Sequence, residues 1–226
     1  MFALDLHTHS RFFHWSPGGP TRFDPIGLSL ATAVARLRGL DGIAVTNHDY
    51  AYAAERRLQT IPGIEVTTTH GHLLVVGPDP PSRTEPDELT PQEAVELAHE
   101  RDCAAVVAHP FRNSELKDAD ADFDALELNG KNTEHVERTR ALAAEMDVPL
   151  TGGSDAHYPV EVGRAYTLVH ADELTPRAVA DAIRDGRVEP VVNLNRFERT
   201  VDRAYTRVHA AKGFDTDDVS QRVDDA

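Results

Sequence analysis

The run Asp5-Leu-His7-Thr-His9-Ser10 places two histidines two residues apart at the end of an apolar stretch. Side chains two apart on a β-strand share a face, so both imidazoles point one way, as two nitrogen ligands of one metal ion must. Residues of the same chemistry stand at the edges of later apolar runs: Thr46-Asn-His48-Asp49, Pro62-Gly-Ile-Glu65, His72, His109-Pro110 and Gly153-Ser-Asp155-Ala-His157. Nitrogen and oxygen donors without thiolate suit Zn²⁺, Mn²⁺ or Fe²⁺. Arg112 follows His109 by three residues. Its planar fork can take a phosphate bidentately, the favoured role, with pairing to one of the many surface carboxylates as the alternative. Glu127 and Asn129 end another apolar run, where they can line a pocket or satisfy a loop; Arg11 and Arg164 are weaker candidates. His99, His135, His170 and His209 are expected at the surface, and His70 competes with His72 for a place in the cluster.

Eight strands are expected to position these groups: 2–6, 42–45, 61–66, 73–77, 104–108, 125–128, 149–151 and 165–169. Helical spacing of Ala, Leu and Val covers 25–38, 91–101, 133–146 and 176–185. Asp24-Pro25, Thr90-Pro91 and Thr175-Pro176 have the form of a cap followed by proline, and Thr90 with Glu93 forms a capping box. Strands that alternate with helices suit a barrel or an open doubly wound sheet, both of which place sites at C-terminal strand ends. A barrel draws those ends toward one axis, so a cluster of this size favours the barrel. Segments 10–23 and 78–89 are expected as surface loops, the first a candidate lid.

The 226 residues fit one α/β domain over 1–195, followed by a C-terminal extension over 196–226 with a partly disordered acidic tail. Cys103 borders an apolar run and is expected to be a buried small hydrophobe. No apolar run is long enough to cross a bilayer, and polar Asp5 and His7 follow Met1 with no leader pattern between, so no membrane partner and a cytoplasmic location are expected. The formal charge is −15, and only three of 23 basic residues are lysine, a balance similar to that of halophile-like acidic proteins. Such a surface repels polyanions, so no long nucleic acid is expected as a partner. Oligomeric state is not legible.

Asp-Leu-His7-Thr-His9-Ser, Thr-Asn-His48-Asp, Gly-Ile-Glu65, His109-Pro and Gly-Ser-Asp155-Ala-His157 come in the order found in the PHP (polymerase and histidinol phosphatase) family, which the chain resembles from Asp5 to His157. The resemblance implies an α/β fold, a distorted (β/α)7 barrel similar to a TIM barrel, holding two or three divalent metal ions (Zn, Mn or Fe). By that resemblance one metal takes His7, His9, Glu65 and Asp155, and Glu65 is shared with a second that takes His72 and His109. A third site uses His48, His157 and one more ligand from the loop after His9. There the chain departs from the family, reading Arg11-Phe-Phe-His14-Trp15 where relatives carry Ser-Asp-Gly. His14 is favoured as the missing ligand and Asp24 is the alternative, with a helix cap as its other explanation. The implied activity is a phosphoric monoester or diester hydrolase for a small-molecule phosphate ester, a nucleotide or sugar phosphate. Glu65, Asp155, His157 and Arg112 are its expected catalytic residues, with water activated by the cations and Arg112 on the substrate phosphate. A histidinol-phosphatase-like enzyme and a metal-binding module without catalysis are the alternatives.

Overall fold

The computed structural model describes residues 1–11, 19–54, 56–112 and 114–192. The expected third-site ligand His14, most of the candidate lid, His209 and the extension over 196–226 lie outside them. Nine strands form one sheet: β1 (Phe2–Thr8), β2 (Gly42–Val45), β3 (Gln59–Thr68), β4 (Gly71–Val76), β5 (Ala104–Val107), β6 (Ala125–Asn129), β7 (Leu150–Gly153), β8 (Ala165–Val169) and β9 (Val188–Val192). Among the described residues four α-helices accompany them, α1 (Asp24–Leu37), α2 (Pro91–Glu100), α3 (Val136–Met146) and α4 (Pro176–Arg184). Among the described residues no helix is long and apolar enough to cross a membrane.

The strand order is β7-β6-β5-β4-β3-β2-β1-β8-β9. The sheet curls into a nearly closed barrel. Thr167 of β8 bridges the seam, its Oγ1 accepting from Gly152 N (2.8 Å) of β7 and donating to Gly152 O (2.9 Å). The expected count of seven parallel strands is corrected: β3 with β4, β4 with β5, β1 with β8 and β8 with β9 all pair antiparallel. Between β3 and β4 only Thr69 and His70 intervene, with Thr68 paired to Gly71, and a connection this short can only reverse the chain.

Inward-facing Leu4, Leu6, Ala44, Ile61, Leu74, Val76, Ala104, Val106 and Ala125 form one apolar cluster, and α4 lays Val179, Ala180, Ala182 and Ile183 against it. The alternate residues Ile64, Val66, Leu73, Val75, Ala105 and Val107 face outward and pack with α2 and α3. Proline and capping explain where the helices begin. Thr90 accepts from Glu93 N and completes its capping box, and Thr175 caps α4 at Ala178 N. Asp24 does not cap α1, whose first turn has no side-chain cap. Its buried carboxylate instead accepts from Thr21 N (2.6 Å), Thr21 Oγ1 (2.8 Å), Ser10 Oγ (2.5 Å) and Tyr50 Oη (2.7 Å). Four donors on two oxygens leave it a tie between loops, with little capacity for a cation.

Candidate metal centre

Five imidazoles surround the buried carboxylate of Glu65 at one rim of the barrel. Oε2 lies 3.2 Å from His7 Nε2, 3.3 Å from His9 Nε2 and 3.1 Å from His48 Nδ1. Oε1 lies 2.8 Å from His72 Nδ1 and 3.2 Å from His109 Nε2. Asp155 Oδ1 approaches His9 Nε2 (3.3 Å) and His157 Nδ1 (3.1 Å), and its Oδ2 accepts from Arg112 Nη1 (2.7 Å).

Strand direction explains which end of each apolar run carries its polar group. Ile61, Gly63 and Glu65 share the inner face of β3 and turn from apolar to charged toward the rim. β4 runs the other way, so His72 reaches the same rim from its beginning. β1 needs a device of its own. Between the pairs Asp5↔Ile43 and Thr8↔Val45 it carries one more residue than β2, and this bulge lets His7 turn inward although Leu6 beside it also faces the inner cluster. Asp5 anchors the bulge, accepting from His7 N, Ser154 N, Ser154 Oγ and Gly163 N; burial nonetheless raises its pKa to about 6.

His109 and Asp155 adopt positive φ, 29° and 51°. That conformation costs a non-glycine residue roughly 1 kcal/mol or more and persists only where neighbours hold it. Glu127 Oε2 accepts from His109 N (2.9 Å), and residues next to Asp155 are stitched to β1 through His9 N to Ala156 O (2.9 Å). Glu127 also accepts at Oε1 from His7 Nδ1 (2.8 Å), leaving His7 Nε2 to face Glu65. Asn129 Nδ2 steadies Glu127 Oε2 at 3.0 Å.

The donors fit a divalent cation better than they fit one another. Asp155 Oδ1 and His72 Nδ1 are buried without a hydrogen bond, although each has partners of suitable element nearby. A lone pair left so in the interior is one that a cation satisfies. Among the described residues three ligand groups have the required compactness: His7, His9 and Glu65; His48, Glu65 and His72; and His9, His48 and His157. The electrostatics are strongly coupled. Burial opposes ionisation of Glu65, but His48, His7 and His72 hold its pKa well below the usual carboxylate range. Burial and then His157 push His9 down, burial pulls His48 down to about 4, and His7 is raised because Glu127, Glu65 and Asp155 outweigh its burial. His9 and His48 therefore favour the neutral form, which donates to metals.

His7, His9, His48, Glu65, His72, His109, Asp155, His157 and Arg112 are thus brought together. His70 is not: it sits in the β3–β4 turn against Thr69 Oγ1. His99 and His170 pair with Asp124 and Glu189 outside the cluster. Arg164 is buried against Glu161, and Arg11 lies over the Tyr50 ring. Cys103 is fully buried, and burial raises its thiol pKa. His135, expected at the surface, lines a cleft with Phe111, Arg112, Asn129 and Asn132. Lys131 had no place in the sequence reading, yet its Nζ lies 2.8 Å from His157 Nδ1 and 3.5 Å from Asp155 Oδ1. The available signal was the rarity of lysine in this chain and the position just after Glu127-Leu-Asn129-Gly130.

The PHP-associated family model matches residues 133–188. A two-domain protein from Bacteroides vulgatus, described as containing a predicted PHP-like metal-dependent phosphoesterase, shares the fold at a TM-score of 0.59 and 18% identity, over 85% of this chain and 65% of that one. The likeness to that PHP-like protein is one of fold, and the PHP-associated match spans about a quarter of the chain. PsfC from Pseudomonas syringae superposes on this chain with a TM-score of 0.68 and 19% identity, over 92% of this chain and 98% of that one. The lesion-specific endonuclease PfuEndoQ from Pyrococcus furiosus matches with a TM-score of 0.59 and 22% identity, over 84% of this chain and 57% of that one. No curated protein matches the chain in sequence.

Endonuclease Q also matches as a complex with a 27-mer duplex substrate, with an abasic lesion at the active site. That finding overturns the exclusion of long nucleic acid. Net charge averages over the whole surface, whereas a phosphodiester is engaged locally. In this chain Arg112 and Lys131 stand against Asp155, so a formal charge of −15 does not describe what a phosphate meets there.

Proposed function

We propose that this chain is a metal-dependent phosphoesterase whose cations are held around Glu65. The observation that carries the reading is the division of imidazoles between the two oxygens of one buried carboxylate, His7, His9 and His48 at Oε2 and His72 and His109 at Oε1. Such a carboxylate can serve two cations, one on each oxygen. Asp155 joins the first group through Oδ1. His9, His48 and His157 offer a third site, for which His14 remains the proposed completing ligand. Bound divalent ions would supply a nucleophile from water near neutral pH and neutralise phosphoryl charge.

The chain's own residues do the positioning. Glu127 fixes the His7 tautomer and the His109 backbone together. Arg112 fixes Asp155 Oδ2 with one N–H and, with its side chain 31% exposed, keeps others available to a phosphate oxygen. Glu127→Gln is expected to weaken metal affinity roughly 10- to 100-fold while keeping the number of ions bound, because the ligands remain and only their orientation is loosened. Competition against a chromophoric chelator measures this; unchanged affinity would remove Glu127 from the account.

The preferred substrate is a small-molecule phosphate ester, a nucleotide or sugar phosphate. The likeness to endonuclease Q adds a nucleic-acid phosphodiester as the second reading. Phosphate release from mononucleotides, bisphosphorylated nucleotides, sugar phosphates and histidinol phosphate, with Mn²⁺ added, is set beside cleavage of a labelled duplex. Turnover of a small ester is expected. Duplex cleavage alone would move the assignment to the second reading, and no turnover of any would contradict both.

A further inference from the structure

Lys131 is delivered to the centre by a close-packed turn. Past β6, Gly130 N donates to Gly153 O (2.8 Å), and Lys131 N donates to Asn129 Oδ1 (2.8 Å). A Cβ on Gly130 would meet Ala165 N and Arg164 Cβ at 3.0 Å, a tight contact, so glycine eases the close passage of the chain beside β8 that leads into Lys131. The ammonium has three polar neighbours: His157 Nδ1 at 2.8 Å, Asp155 Oδ1 at 3.5 Å and Glu161 Oε2 at 3.8 Å. Glu161 Oε2 is itself engaged by His157 N (2.9 Å) and Tyr158 N (3.0 Å).

We propose that Lys131 binds the substrate's phosphoryl group, with Arg112 on the other oxygen of Asp155 completing a two-cation clamp. The proposal rests on the phosphoesterase reading above. Once divalent cations occupy the centre, Asp155 Oδ1 and the His157 ring serve them, and the ammonium loses its two nearest partners and keeps only Glu161 Oε2 at 3.8 Å, an oxygen already shared with two backbone N–H groups. A positive charge beside those cations, with one distant carboxylate to offset them, is stabilised when an anion lies between them. The lysine side chain is 16% exposed where that of Asp155 is 1% exposed, so solvent, and an anion arriving from it, reaches the lysine side chain more readily than the carboxylate. Lysine suits this place because its three donors rotate freely about a point charge and can follow phosphoryl oxygens as their geometry changes.

The test is titration of metal-loaded protein with inorganic phosphate by calorimetry, with the metal content of each sample measured in parallel. Lys131→Met is expected to weaken phosphate binding at least tenfold with the bound ions retained, and Lys131→Arg, which keeps the charge, to stay within threefold of wild type. A smaller loss in Lys131→Met, a loss that follows loss of the ions, or an equal loss in Lys131→Arg overturns the role of Lys131. Wild-type protein that holds its ions and binds no phosphate overturns the phosphoesterase reading itself, and the proposal falls with it.

Discussion

Glu65→Gln is expected to lower phosphoester turnover on the order of 10³-fold or more, about 4 kcal/mol of transition-state stabilisation, and to reduce the number of ions bound. The substitution is nearly isosteric, so packing hardly changes. What changes is the donor set. Each carboxylate oxygen now faces at least two imidazole nitrogens. Glutamine would present one carbonyl oxygen and one NH₂, and an NH₂ has no lone pair for a cation. One of the two ion positions therefore loses its shared ligand, and the remaining charge between two cations disappears with it. Metal analysis of the purified variant beside a turnover assay measures both effects. Full metal content with normal turnover would show that Glu65 does not bridge.

Gly153→Ala is the substitution with the largest expected effect on the scaffold. An added Cβ would lie 2.3 Å from Glu127 Oε1 and 2.5 Å from His7 Cβ, with His7 N at 3.2 Å. Neither neighbour can retreat cheaply. Glu127 is held by His7, His109 and Asn129, and His7 sits in the bulge that Asp5 anchors. Overpacking of this severity costs roughly 3 kcal/mol, about 10 °C in Tm for a chain of this size. The same displacement would move His7 Nε2 away from Glu65, so metal affinity should fall in step with stability. A thermal melt with and without added Mn²⁺ reads both. An unchanged melting temperature and an unchanged metal-induced shift would contradict the close packing of β1, β6 and β7 on which the site depends.

Much of the cluster around Glu65 was legible because strand alternation is a strong rule. Glu65 and His109 stand at the C-terminal ends of apolar runs, and Asp155 and His157 shortly after one, as a barrel requires. His72 broke the pattern by opening its run. The explanation lies in the antiparallel β4, which the two-residue turn at Thr69 and His70 dictates but which the polarity of those residues did not announce. His7 and His9 were expected on one face of an ideal strand, and both do reach Glu65 Oε2, yet a bulge that no residue type marks is what brings His7 there. β9 was missed because Val188–Val192 contains Pro190 and Glu189, which weaken a strand signal; as the outermost strand of the order it tolerates both. Asp24 before Pro25 had the form of a cap, and only the arrival of Ser10 and Tyr50 from distant segments turned it into a tie between loops. Lys131 escaped for a similar reason, since its partners Asp155 and His157 stand more than twenty residues further along the chain.

The most direct measurement is anomalous scattering from crystals of the protein grown with Mn²⁺. Two or more peaks are expected, one on each oxygen of Glu65, with His7, His9 and Asp155 around the first and His72 and His109 around the second. A single ion with no open coordination position, or ions placed away from a Glu65 carboxylate that keeps its hydrogen bonds to histidine, would contradict the account.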